Sequence, residues 1–211
     1  MNKRIFFALL ILSVMAGLIY SNVSFAQNKA LPGKSLLDNL QIAYSEEANS
    51  HANYMAYAEK ADKEGYGRVA SLFRAAAKSD ELQMNGHAKI IKALKAEPKA
   101  DIKKPMMMTT KGNLEMCIKE EKEEVESMYP EFIKKAKEEK NTGAMKSFMG
   151  AQKADEMHVK YMKDALSNLN KWKAGQKEFL VCTVCSYLTD DLKVMKCPVC
   201  SSPRDKFVSV K

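Results

Sequence analysis

The sequence predicts a mainly α protein, a four-helix bundle followed by a small β metal-ribbon domain. Three observations carry that expectation. Apolar residues recur in steps of three and four from Ser35 to about Trp172, two short turn signals flank one longer Pro-containing break, and two C-x-x-C pairs follow near the C-terminus. The 211 residues are 46% hydrophobic and 28% charged, which excludes a disordered chain, and nine Gly and six Pro exclude a collagen-like one. The only long apolar run lies at the extreme N-terminus, so a multi-span membrane protein is excluded as well.

That first run reads as an address. Lys3 and Arg4 precede an apolar stretch from Ile5 to about Tyr20, and Ser24-Phe25-Ala26 places small residues at both key positions of a cleavage point. These are the parts of a secretory signal peptide, here residues 1–26. The run is shorter than the roughly 20 residues of a spanning helix. The expectation is an exported, periplasmic protein with no membrane span after cleavage; an uncleaved N-terminal membrane anchor is the alternative. Cleavage removes Lys3 and Arg4 and no acid, so the net charge of +8 falls to +6. The remaining Lys alternate with Glu along helical stretches, which describes solvated helix faces, and no nucleic-acid motif accompanies them.

Four helices follow, over about 35–64, 66–95, 110–139 and 142–172. Gly65-Tyr66-Gly67 and Asn141-Thr142-Gly143 suit tight connections between antiparallel neighbours. Between them, Ala96 to Thr110 holds Pro98 and Pro105 without apolar period and reads as a crossover. Pro130 falls inside the third helix and is expected to kink it, because it lacks a backbone donor. Two helical hairpins joined by one long connection, spanning residues 35–172, form a ferritin-like arrangement. The halves echo each other: Phe73 leads to Asp80 and Gln83 with the same spacing by which Phe148 leads to Asp155 and His158.

Each helix carries acid on its apolar stripe. The stripes run Leu36, Leu40, Tyr44, Glu47, His51, Tyr54, Ala58; then Val69, Leu72, Ala76, Asp80, Gln83, His87, Ile90, Leu94; then Leu114, Cys117, Glu121, Glu124, Met128; and finally Met145, Phe148, Gln152, Asp155, His158, Met162, Ala165. Ionised carboxylates in a core need partners, because desolvation costs several kcal/mol per ion. Too few Lys or Arg fall on these seams to supply them, whereas bound cations would. A pair of iron or manganese ions is typically held by one Glu from each of two helices and Glu-x-x-His from each of the others. The matches here are Glu47, Asp80-x-x-Gln83, Glu121 with Glu124 one turn on, and Asp155-x-x-His158. Taken alone, Glu121 and Glu124 read equally as part of a solvated acidic face, and His51 and His87 as ordinary half-buried histidines.

Residues 178–211 change character. Cys182-x-x-Cys185 and Cys197-x-x-Cys200 form two knuckles suited to one tetrahedral four-thiolate site, for Fe or Zn alike. So short a segment cannot be held by burial alone, so the metal also supplies folding energy. Two disulfides formed after export are the alternative. Cys117 reads as a small buried hydrophobe.

At this point the chain resembles the rubrerythrin family. Ala43-Tyr44-Ser45-Glu46-Glu47, Lys63-Glu64-Gly65-Tyr66, Met128-Tyr129-Pro130-Glu131-Phe132 and the closing Cys182/Cys185/Cys197/Cys200 module stand in the family's order. The resemblance implies a ferritin-like diiron bundle joined to a rubredoxin-like domain with one iron on four thiolates. It further implies a homodimer in which an electron donor protein feeds the rubredoxin-like iron, electrons pass to the diiron site, usually across the dimer, and hydrogen peroxide is reduced to water. By position, Glu47, Asp80, Glu121, Glu124, Asp155 and His158 match iron ligands, and Tyr54 and Tyr129 match tyrosines that hydrogen-bond ligand carboxylates.

The chain departs from the family pattern at three of these places. Asp80 and Asp155, at the bridging positions, stand where the family has Glu, and Gln83 stands where it has the His that exchanges with the Glu at position 124. His51 and His87 lie one turn from Glu47 and Gln83 and are candidate compensating ligands. The enzyme reading therefore has an alternative, a non-catalytic iron- or zinc-binding or electron-carrier protein with a degenerate bundle site.

Overall fold

The computed structural model of the protein describes residues 35–211, so the expected signal segment lies outside the described residues. Helix α1 spans Leu36–Lys63 and opens with a capping box, in which Ser35 and Asp38 satisfy each other's backbone N–H. Gly65, with φ of 79°, turns the chain into α2, Gly67–Ala93. Gly67 is required by a close approach, since a Cβ there would lie 2.1 Å from the carbonyl oxygen of Gly175. The α2 stripe ends sooner than its period suggests: Leu94 lies past the helix end and is exposed, and Ile91 takes the buried place.

The crossover does not wander. Gln41 Nε2 donates to Glu97 O at 2.7 Å and its Oε1 accepts from Lys99 N at 3.0 Å. Eight residues along the same helix, Asn49 does likewise with Asp101 O and Lys103 N. Two side-chain amides thus imitate a neighbouring strand and pin the connection along α1. It ends at Thr109, whose hydroxyl caps α3, Thr110–Glu123. Glu64, from the α1–α2 turn, accepts from Thr110 N at 2.8 Å, placing a carboxylate at the positive end of α3.

After α3 the helix widens into one π turn, Glu124–Met128, and resumes as α4, Tyr129–Glu138. This is how the chain accommodates Pro130. In the wider register Tyr129 N–H bonds Glu124 O, and the next donor in line would be Pro130, which has none. The carbonyl so orphaned, Val125 O, accepts from Gln152 Nε2 of the facing helix at 3.0 Å. That helix, α5, spans Thr142–Ser167 and is capped by Asn141. It stops short of the expected residue 172: the Asn168 amide turns back onto Asp164, and a 3-10 turn, Leu169–Trp172, drops the Trp172 indole into the core.

Two apolar layers fill the bundle. One gathers Tyr54, Tyr57, Leu72, Phe73, Leu114 and Met162; the other gathers Leu40, Ile91, Tyr129, Phe132 and Phe148. Along α1, α2, α5 and the α3–α4 rod, the chain passes from one layer to the other through its acidic positions. The polar residues therefore form a slab between two greasy ends.

The C-terminal module is a three-stranded antiparallel sheet of β1 (Phe179–Cys182), β2 (Leu188–Thr189) and β3 (Phe207–Val210), in the order β2-β1-β3. Alternation along β1 divides its loyalties. Phe179 and Val181 join Leu188 and Trp172 in the first bundle layer, while Leu180 and Cys182 pack with Cys197 and Phe207 inside the module. The module thus shares a core with its own bundle.

Two outcomes follow from these anchors. Gln152→Leu leaves Val125 O without a donor and is expected to cost about 1–2 kcal/mol in thermal or denaturant unfolding. Glu64 is held down at about 2 by the hydrogen bonds from Thr110. A carboxylate depressed in the folded state stabilises above its ordinary range and loses that contribution as pH falls toward 2. The stability gap between wild type and Glu64→Ala is therefore expected to be full at pH 6 and to close on acidification.

Candidate metal centres

The slab between the apolar layers assembles all six acid and imidazole positions read from the sequence. Ligand atoms of Asp80 (α2), Glu121 (α3), Asp155 and His158 (α5) lie within 4.8 Å of one another, and so do those of Glu47 (α1), Glu124 (π turn) and Asp155. Asp155 belongs to both groups and Asp80 to one. His158 turns Nδ1 inward, 3.0 Å from Glu121 Oε1, 3.6 Å from Asp155 Oδ1 and 3.8 Å from Asp80 Oδ1.

Two tyrosines fix this arrangement reciprocally. Tyr54 of α1 donates to Glu121 Oε1 on α3, and Tyr129 of α4 donates to Glu47 Oε1 on α1. Glu47 and Tyr54 are seven residues apart, two regular turns; Glu121 and Tyr129 are eight apart. The π turn absorbs the extra residue and keeps Tyr129 on the inner face. It also gives Glu124 its place beside Glu47 and Asp155. The sequence offers only Pro130 as a hint of this distortion.

The electrostatics of the slab are unbalanced. Both oxygens of Asp80, Oε2 of Glu121 and Oδ2 of Asp155 are buried and without hydrogen-bond partners among the described residues. Burial pushes the carboxyls of Glu47, Asp80, Glu124 and Asp155 well above the usual range, and their mutual repulsion adds to it. Among the described residues no Lys or Arg pairs with them. Carboxylate oxygens and one imidazole, converging from four helical segments and lacking protein cations, form a donor set that fits two adjoining iron or manganese ions.

The residues expected to compensate for Gln83 sit elsewhere. His51 gives Nδ1 to Ala77 O at 2.8 Å. His87 meets Ser147 Oγ at 3.0 Å and packs against Phe148 and Tyr129, where burial lowers its pKa to about 3. Neither joins a carboxylate group, because each ring is engaged by the helix face it touches. Gln83 instead serves as a donor, with Nε2 2.9 Å from Asp155 Oδ1. The amide hydrogens face the carboxylate because the carbonyl oxygen would be repelled there.

In the module, Cys182, Cys185, Cys197 and Cys200 bring their sulfurs within 4.8 Å of one another. Two of the edges measure 3.7 Å (Cys182–Cys200) and 3.5 Å (Cys185–Cys197). A tetrahedron with metal–sulfur bonds of about 2.3 Å has edges of about 3.8 Å, whereas a disulfide needs about 2.05 Å. All four thiols are free, so the structure favours the four-thiolate site over disulfides. The Cys182 thiol is pulled down to about 5, chiefly by a hydrogen bond from Cys185 and with help from the N–H groups of Val184 and Cys185. A thiolate is thus favoured on one knuckle before any ion arrives.

These centres agree with the comparisons to known proteins. A sequence profile described as Rubrerythrin matches residues 38–166. Nigerythrin of Nitratidesulfovibrio vulgaris is 32% identical over 189 residues, covering 87% of this chain and 90% of its own. Rubrerythrin-2 of Clostridium acetobutylicum is 27% identical over 172 residues, covering 81% and 94%. A solved structure of nigerythrin in its fully reduced, all-ferrous state superimposes with a TM-score of 0.79 at 28% identity, over 87% of this chain and 91% of that one. With a carboxylate slab that fits a metal pair and a rubredoxin-like four-cysteine module, the chain belongs to the rubrerythrin family, non-haem iron oxidoreductases that reduce peroxide.

Proposed function

We propose that the protein is an exported homodimeric peroxidase that reduces hydrogen peroxide in the slab of its bundle. Glu47, Asp80, Glu121, Glu124, Asp155 and His158 would hold two irons there, and Cys182, Cys185, Cys197 and Cys200 a third. The observation that carries this reading is Asp155, common to two ligand groups in which buried oxygens of Asp80, Glu121 and Asp155 itself lack partners among the described residues. Signal-like residues 1–26 support export.

When bound, the iron pair supplies the two electrons that, with two protons, convert one peroxide to two waters. The protein's own share is geometric and electrostatic. Tyr54 and Tyr129 keep Glu121 and Glu47 from rotating, so each presents a fixed oxygen to the centre. Gln83 does the same for Asp155. The apolar layers on either side keep the slab dry, which strengthens every charge interaction within it. Glu124, less buried than its neighbours and placed on the π turn, is the carboxylate with most room to move. In the C-terminal module, Cys182, Cys185, Cys197 and Cys200 would hold the third iron, which would supply a one-electron carrier for an external donor protein.

Protein purified without oxygen is expected to hold about three irons per chain and to show thiolate-to-iron absorption. A single iron would support an electron carrier with a degenerate bundle site instead, and zinc alone a structural role. Asp155→Asn, which strikes both ligand groups, is expected to lose both bundle irons while keeping the thiolate iron; metal analysis checks this.

The pH dependence of the metal-free protein is a separate check. Carboxyls whose folded pKa lies above the unfolded value of about 4 bind protons more tightly in the folded state. Their contribution is complete below that value and is lost as pH rises through the raised folded values. Unfolding midpoints of the metal-free protein are therefore expected to fall from pH 5 to pH 8, and those of the iron-loaded protein to stay level.

A further inference from the structure

Two buried polar atoms of α2 stand one turn apart without partners among the described residues. Gln83 spends both amide hydrogens, one on Asp155 Oδ1 at 2.9 Å and one on Ser79 Oγ at 3.4 Å, and its Oε1 has no donor. Four residues on, away from Ser79, His87 meets Ser147 Oγ through Nδ1, and its Nε2 has no partner either. Residues four apart lie one above the other on a helix face. Gln83 is 4% exposed and His87 0%, so bulk water serves neither atom. Buried polar atoms are seldom left unpaired, and two on one face make a place for a small molecule that meets both.

The surroundings hold the imidazole in place. Gly86 clears room for its contact with α5, since a Cβ there would lie 3.2 Å from Ser147 Oγ. The ring lies against Phe148 and Tyr129, with centroids 5.3 and 6.3 Å away, and Tyr129 in turn donates to Glu47. Burial lowers the His87 pKa to about 3, so the ring is neutral, with one nitrogen donating and the other accepting. Which role falls to Nε2 depends on where the Ser147 proton points. A partner for both atoms must therefore be small and uncharged and must both donate and accept. Hydrogen peroxide meets these conditions, with an O–H and lone pairs on each of two adjoining oxygens.

We propose that Gln83 Oε1 and His87 Nε2 form a holding site for hydrogen peroxide at the edge of the carboxylate slab. This rests on the peroxidase reading above and names two specificity-determining residues for it. One peroxide oxygen donates to Gln83 Oε1 and the other bonds His87 Nε2; no covalent bond breaks and no proton is transferred. Because the Gln83 amide is bound to Asp155, the held molecule lies one side chain from the residue common to both ligand groups. An alkyl hydroperoxide has a single O–H, and its alkyl group would compete for space with the fully buried rings of Phe148 and Tyr129. The site therefore selects the smallest peroxide. An amide suits position 83, because it offers a carbonyl acceptor while its hydrogens hold Asp155, which a carboxylate there would repel.

The test has two arms, both on the full-length chain. In iron-loaded protein, His87→Phe is expected to keep its iron and to raise KM for hydrogen peroxide about tenfold with kcat little changed, as loss of one hydrogen bond to the held molecule requires. His87→Gln, which can still donate and accept, is expected to recover most of that affinity. In zinc-loaded protein, which has no redox chemistry to consume peroxide, the imidazole 15N resonances of His87 are followed by NMR and assigned by their loss in His87→Phe. Hydrogen peroxide is expected to shift them saturably and tert-butyl hydroperoxide to leave them in place. Unmoved resonances, which would mean that the site takes water alone, or a wild-type KM in His87→Phe, would overturn the inference. A saturable shift in a wild type that shows no peroxidase activity when loaded with iron would overturn the peroxidase reading and leave the holding site standing, so the two failures are distinguishable.

Discussion

Everything in this protein is arranged around one electrostatic debt, a set of carboxylates drawn into the interior without protein cations to meet them. Desolvation of that kind is tolerated only when something else neutralises the charge, whether protons in the metal-free chain or metal ions in the loaded one. The bundle is built to keep the problem in one place. Every helical segment enters the polar slab from an apolar layer and leaves it into another, so water is excluded on both sides. The shared Asp155 lies where the two ligand groups meet.

The approximate internal symmetry explains much of the rest. Asp80 with Gln83 and Asp155 with His158 are the same motif on α2 and α5, and Tyr54 and Tyr129 cross over to brace each other's half. The symmetry is broken where chemistry needs asymmetry. One half keeps an imidazole whose Nδ1 faces the carboxylates, and the other has an amide whose hydrogens face Asp155 and Ser79. One half is a plain helix, and the other carries a π turn with an additional acid.

Much of this was legible in the sequence. The three-and-four period located the bundle, placed the acids on its inner stripe, and the paired C-x-x-C knuckles announced the thiolate module. What escaped were features without a periodic signature. The π turn preserves the local pattern on both sides, so Glu120 to Pro130 reads as ordinary helix with a kink. The contact of Ser79 is with the backbone carbonyl of Ser186, which no composition or spacing flags. His51 and His87 read from the sequence either as ordinary half-buried histidines or as compensating ligands, because one-turn proximity along a helix does not say which neighbour the ring will meet; they meet Ala77 and Ser147. The fourth helix ends early because Asn168 folds back on Asp164, a local competition with helical bonding.

The single widened turn also decides what a change of length would do to the third rod. Each residue in a regular helix advances the face by about 100°. Deleting one residue between Glu124 and Met128 would leave Glu121 and Tyr129 seven apart, the same two regular turns that separate Glu47 from Tyr54. Tyr129, Phe132 and Ala136 would keep their places in the core, while the distortion that seats Glu124 beside Glu47 and Asp155 would vanish. Lengthening the rod by a further residue, with no second wide turn to take it up, is what would rotate those side chains out of the bundle.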